Sequence, residues 1–159
     1  MKKLSLLFLA LASIVILKAQ WVDDPMTNTF IANCSNSAAE IYVASSLDGG
    51  TFVQWTSMSA NGWSPKLQLL DIEGVPQWGP DGVIITTDNI ATWSPGYAIA
   101  ALNDGSVVSM FRTADARHWV VKINADGSTP WGTDGMALFD GLAVDALNCL
   151  LATMAVFGL

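Results

Sequence analysis

An all-β architecture of two similar four-stranded antiparallel units is expected from three features of this 159-residue chain. Eight short runs rich in Val, Ile, Thr and aromatic residues alternate with clusters of Gly, Asp, Asn and Pro, the pattern of strands joined by tight turns. Residues 70–82, LDIEGVPQWGPDG, match residues 123–135, INADGSTPWGTDG, at an offset of 53. A second match, LDGGTFV from Leu47 and NDGSVV from Asn103, lies upstream of each at an offset of 56. Self-similarity at about this period marks stacked supersecondary units, and four strands in roughly 50 residues is the arithmetic of a propeller blade.

The chain opens with Lys2 and Lys3, an uncharged apolar run from Leu4 to Leu17, and then Lys18, Ala19 and Gln20. This is the three-part layout of a secretory signal peptide over residues 1–19, with cleavage expected after Ala19. The apolar run is shorter than the roughly 20 residues a spanning helix needs, so no stable membrane span is expected after cleavage. Cleavage leaves Lys66, Arg112, Arg117 and Lys122 against 14 carboxylates, a formal charge of −10. That balance argues against nucleic acid, whose phosphates call for clustered Lys and Arg, and against anionic membrane surfaces. Residues 20–39 form an N-terminal arm, in which Asp23 and Asp24 read as a solvated pair, because paired catalytic carboxylates must face one cleft.

The first unit, residues 40–96, is expected to hold strands at 40–45, 51–58, 66–71 and 83–87. The second, residues 97–141, is expected to hold strands at 97–103, 107–113, 118–124 and 136–139. The shared pattern D/N-x-x-G-x-x-x-W-G-x-x-G has a physical reading. Gly74 and Gly127 supply positive φ in a turn leaving a strand, with Asp71 or Asn124 capping the turn backbone. Trp78 and Trp131 then lie between neighbouring units and bury a large apolar area. Gly79 and Gly132 let the backbone pass beside the ring, and Gly82 and Gly135 end the matched segment. The expected fold is thus an all-β, propeller-like array of two blades, residues 40–87 and 97–139. Two blades cannot close a ring, so open edges, apolar faces and self-association are expected.

These residues resemble quinoprotein-type β-propeller repeats, which also place a D-x-x-G-x-x-x-W segment after a strand and an aspartate-glycine hairpin before it. The resemblance covers Glu40 to Phe139. With the signal peptide, the chain looks like the secreted repeat proteins exported by the type IX secretion pathway. The resemblance implies blades and export, to the periplasm, the cell surface of a bacterial envelope or the medium. It does not extend to quinone chemistry, and no cofactor is expected.

After Gly141 the composition changes: residues 142–159 carry no hairpin glycines and read apolar with mixed periodicity. One expectation is a terminal element covering the last blade and guarding its edge. The other is a shifted reading frame, because a displaced frame from Leu147 can encode an aspartate-glycine hairpin followed by Val-Trp about 50 residues after Asp104, where a further copy is due. On that reading the chain is the head of a longer repeat protein.

Little in the sequence points to catalysis. His118 is the only histidine, and no G-x-S-x-G nucleophile elbow accompanies it, so it reads as a strand residue rather than part of a triad. Asp71-x-Glu73-Gly74 and Asn124-x-Asp126-Gly127 resemble fragments of a calcium loop but lack the later acidic ligand, and read as turns. Cys34 and Cys149 show no C-x-x-C pairing, so a disulfide or two inert thiols is expected and a metal or redox motif is not. Of seven tryptophans, Trp63 and Trp93 each begin a W-S-P triplet and are the candidates for stacking on a sugar ligand. The sequence therefore points to an exported, non-enzymatic binding or scaffold module with a protein or glycan partner. Its rival is a fragment of an extracellular carbohydrate-active enzyme, and two carboxylates converging in one pocket would distinguish it.

Overall fold

The computed structural model describes residues 26–34, 37–87, 90, 97–115, 117–132 and 134–138. They form eight strands: β1 (Ala38–Ser45), β2 (Thr51–Ser59), β3 (Gly62–Leu70), β4 (Val83–Ile84), β5 (Ala98–Ala101), β6 (Val107–Arg112), β7 (His118–Ile123) and β8 (Met136–Ala137). Two four-stranded sheets result, ordered β1-β2-β3-β4 and β5-β6-β7-β8, and every pairing is antiparallel. Among the described residues there is no helix, and so none long and apolar enough to cross a membrane.

One turn is used four times. In Ser46–Gly50, Asp71–Val75, Leu102–Ser106 and Asn124–Ser128 the first amide donates to the fifth carbonyl and the fourth amide to the first carbonyl. The fourth residue is always glycine, Gly49, Gly74, Gly105 or Gly127, with φ between 79 and 88°, a region closed to most side chains. In three of the turns the third residue is an aspartate whose Oδ1 accepts the fifth amide: Asp48 from Gly50, Asp104 from Ser106 and Asp126 from Ser128. In the fourth, Asp71 at the first position does this work and takes the amides of Glu73 and Val75 at 3.0 and 2.8 Å. Asn124 is thus not the backbone cap that its match to Asp71 suggests; its Nδ2 reaches the Ser128 hydroxyl, and Asp126 caps.

The sheets stack face to face. From the inner face of the first come Phe52, Leu67 and Leu69, and from the second come Val107, Phe111, Val121 and Ile123. Each such side chain, fully buried, stabilises by about 1.5–3 kcal/mol. The two backbones approach chiefly where β1 meets β5. There Tyr42 stacks on Tyr97 with ring centroids 6.0 Å apart and an interplanar angle of 22°. At the other end Trp78 packs on Phe52 at 5.9 Å and its indole donates to the Ala125 carbonyl at 2.9 Å. Thr86 adds a hydroxyl bond to Asp134 at 3.1 Å. Between these lies a buried polar pair: the Ser109 hydroxyl donates to Gln54 Oε1 at 2.6 Å.

All eight expected strands are present, with shifted ends. β3 begins at Gly62 rather than at 66, because Pro65 stays in the ladder opposite Thr56 and its carbonyl accepts the Ile85 amide at 3.0 Å. β4 and β8 have two residues each. Trp131 packs with Leu102, Val108, Met110 and Val120 on the far face of the second sheet, the side away from Trp78. The expected signal peptide over residues 1–19, Asp23, Asp24, Trp93, Cys149 and residues 139–159 lie outside the described residues.

Candidate functional site

The outer face of the first sheet carries two grooves that could receive a ligand. Side chains alternate along a strand, and the β2–β3 register pairs Val53 with Gln68, Trp55 with Lys66 and Ser57 with Ser64 on this face. The N-terminal arm crosses it. Gln68 Nε2 donates to the carbonyls of Ile31 at 3.3 Å and Gly79 at 2.7 Å, while the Asn33 amide donates to Pro80 at 2.6 Å. Gln68 Oε1 in turn accepts the Trp78 amide at 2.9 Å. One buried amide therefore fixes the arm and the chain leading into β4.

On one side of the arm, over β2, β3 and β4, lies a polar groove of about 260 Å3. Ser57, Ser59, Ser64 and Thr87 bring hydroxyls, Asn33 and Asn61 bring amides, Lys66 brings the one cation of the lining, and Met58 and Ile84 form apolar patches. The β2–β3 hairpin shapes one end: the Ser59 hydroxyl donates to the Gly62 carbonyl at 2.9 Å and accepts the Asn61 amide. Gly62 takes a φ of 108°. Hydroxyls, amides and a lysine over two apolar side chains match a polyol, which offers both hydrogen-bonding edges and apolar ring faces.

On the other side of the arm, over β1 and β2, is a smaller groove of about 110 Å3 lined by Ile31, Ala32, Cys34, Ala38, Ile41, Val53 and Trp55. Its lining is apolar apart from the exposed, free thiol of Cys34. The Trp55 indole N–H is buried here and has no acceptor among the described residues.

The described carboxylates are held elsewhere. Asp48 and Asp126 titrate below the usual range, first because of hydrogen bonds from Ser46 and Ser128. Asp115 is held low first by the Thr113 hydroxyl. Asp71 accepts two amides of its own turn and the Gln77 side chain. Among the described residues, no group of three His, Cys, Asp or Glu side chains is placed to hold a metal ion. His118 is buried at the start of β7 and lines neither groove.

One cluster stands apart, at the edge where β1 meets β5. Glu40 takes φ 54° at a bulge between Ala39 and Tyr42, a conformation costly for a residue with a Cβ. Burial, and then the Glu40 charge, push the hydroxyls of Tyr42 and Tyr97 above the ordinary tyrosine range.

The expected stacking tryptophan Trp63 is half-buried, with its ring against the inter-sheet core; Trp93 lies outside the described residues. Gly82 and Gly135 have φ of 66 and 70°. A Cβ on either would collide with a strand carbonyl, that of Leu67 or Val120. Gly79 and Gly132 also have positive φ, but open space surrounds them, so conformation rather than proximity to a ring explains these glycines. Sequence reasoning missed the hydroxyl and amide lining of the polar groove. The only available signal was Ser57-x-Ser59, which strand alternation sends to the same face as Ser64. Comparison of the chain with protein-family models, with curated proteins and with solved structures gave no match in any of the three.

Proposed function

We propose that this chain is an exported, non-enzymatic binding and scaffold module of two propeller-like sheets, whose polar groove receives a neutral, hydroxyl-rich ligand of the glycan class. The observation that carries this reading is the lining of the groove: four hydroxyl side chains, two amides and Lys66, with no carboxylate or imidazole among them. A hydrolytic site of the glycosidase kind needs two facing carboxylates, whereas Asp48, Asp71, Asp104 and Asp126 are engaged in turn hydrogen bonds and no carboxylate lines the groove. The stacking of consecutive antiparallel sheets, with first strand nearest first strand, supports the blade-like arrangement. The Lys2-Lys3 and apolar leader supports export. Titration calorimetry against a panel of neutral and charged oligosaccharides tests the reading. Neutral members are expected to bind, with Asn61→Ala and Lys66→Met each weakening binding about tenfold, the worth of one net hydrogen bond. Failure of every glycan to bind, or binding indifferent to both substitutions, overturns it.

A further inference from the structure

Every asparagine of the chain but one is followed by a residue that carries a side chain; the exception is Asn61, which precedes Gly62. This pair closes the β2–β3 hairpin. Ala60 and Asn61 form its two-residue turn, and Gly62 begins β3 opposite Ser59. Asn61 is exposed. The Ser59 hydroxyl holds main-chain atoms on both sides of the Asn61–Gly62 peptide, accepting the Asn61 amide at 3.3 Å and donating to the Gly62 carbonyl at 2.9 Å. These bonds use the main chain of the turn and leave the Asn61 carboxamide out. Asn124 differs on both counts: its Nδ2 donates to the Ser128 hydroxyl at 2.9 Å, and Ala125 follows it. Gly62 takes a φ of 108°, where a Cβ is strained. The turn therefore keeps, next to an exposed asparagine, the one residue type whose nitrogen no side chain shields.

We propose that Asn61 is a site of spontaneous deamidation, and that its conversion changes the charge of the polar groove. The Gly62 nitrogen, its proton passed to a solvent base, bonds to the Asn61 Cγ; the Cγ–Nδ2 bond breaks, and the nitrogen leaves as ammonia with a proton returned from solvent. Water then opens the resulting succinimide. Cleavage at Cγ gives aspartate, and cleavage at the main-chain carbonyl gives isoaspartate. The net change is amide and water to carboxylic acid and ammonia, without oxidation or reduction. Asn61 shares the groove lining with Lys66, and no carboxylate stands there. Either product sets an anion in a lining whose one charge is a lysine, and removes the two N–H donors of the amide. Isoaspartate also adds a methylene to the main chain inside the turn that Ser59 spans. The effect on ligand binding rests on the groove reading above; the conversion itself does not.

Incubation of the folded chain at mildly alkaline pH, with peptide mapping by mass spectrometry and enzymatic methylation of isoaspartate, tests it. Residue 61 is expected to become a mixture of aspartate and isoaspartate ahead of Asn28, Asn33, Asn103 and Asn124. Its rate is expected to lie within about tenfold of that in the urea-unfolded chain, because exposed turns open at little cost. Asn61→Gln is expected to stop conversion at this position and to keep the parent circular dichroism. A residue 61 still amidated in the folded chain when the unfolded chain has converted overturns the inference, as does conversion led by another asparagine. Asn61→Asp supplies one product directly and is expected to weaken binding of a neutral oligosaccharide about tenfold or more. Binding by that variant equal to the parent's overturns the effect on the groove. If the parent binds no glycan, the groove reading falls and the effect on binding with it, while the peptide map still decides deamidation.

Discussion

Asp104 occupies the third position of the turn between β5 and β6, where its carboxylate accepts the Lys122 ammonium at 2.6 Å and the Ser106 amide at 3.0 Å. Lys122, and then the Ser106 hydroxyl, hold this carboxyl well below the usual range. The folded group titrates lower than the unfolded one, near 3.9, so its stabilisation is present above about pH 4 and is lost as the pH falls toward the folded value. The carboxylate is more than half exposed, and solvent screening limits its worth to less than about 1 kcal/mol. Asp104→Asn is therefore expected to lower urea-unfolding stability slightly at pH 7, with the gap to the parent closing below pH 4 and shrinking in high salt. A gap constant from pH 3 to pH 7 would place the effect in the turn conformation instead. Residue roles of this kind were legible in part. The D-G pairs announced turns, because glycine alone takes the fourth position freely, but the exchange of cap between Asp71 and Asp126 depends on side-chain length and was not.

The strands were legible because β-branched and aromatic runs sit between glycine-rich turns, and each of the eight formed near its expected place. Their faces were less so. β2 is buried on both sides from Phe52 to Ser57, and a strand covered twice loses the alternation that tells inside from outside. Pro65 hid the first turn of β3, since proline normally ends a strand and only its carbonyl keeps this one in the ladder. Trp78 is the element that ties the sheets at their far edge, through the Ala125 carbonyl and the ring surface against Phe52. Trp78→Phe is expected to cost about 1 kcal/mol, the net worth of one hydrogen bond, and Trp78→Ala about 3 kcal/mol through lost packing. Equilibrium unfolding in urea measures both, and equal costs for the two would show that the indole bond, and not the ring, carries the contact.

For the molecule as a whole, the paired sheets follow from a core that neither could build alone. The contact brings Phe52, Leu67 and Leu69 of one sheet against Val107, Phe111, Val121 and Ile123 of the other, and the Gln54–Ser109 bond at 2.6 Å gives that apolar layer a register. A buried polar pair of this kind penalises sliding, because a shifted sheet leaves both groups unmade. The offsets of 53 and 56 made two units legible, but the grooves were not. Both are shaped by an arm that precedes β1 in sequence and is held by Gln68, a contact across 37 positions that no local pattern encodes. The account stands on the two sheets being one cooperative structure, and native-state hydrogen exchange tests that most directly. It predicts that the core amides of β2 and β6 exchange with the same opening free energy and the same dependence on denaturant. Exchange of β6 and β7 through a separate, cheaper opening, while β2 and β3 stay protected, would contradict it.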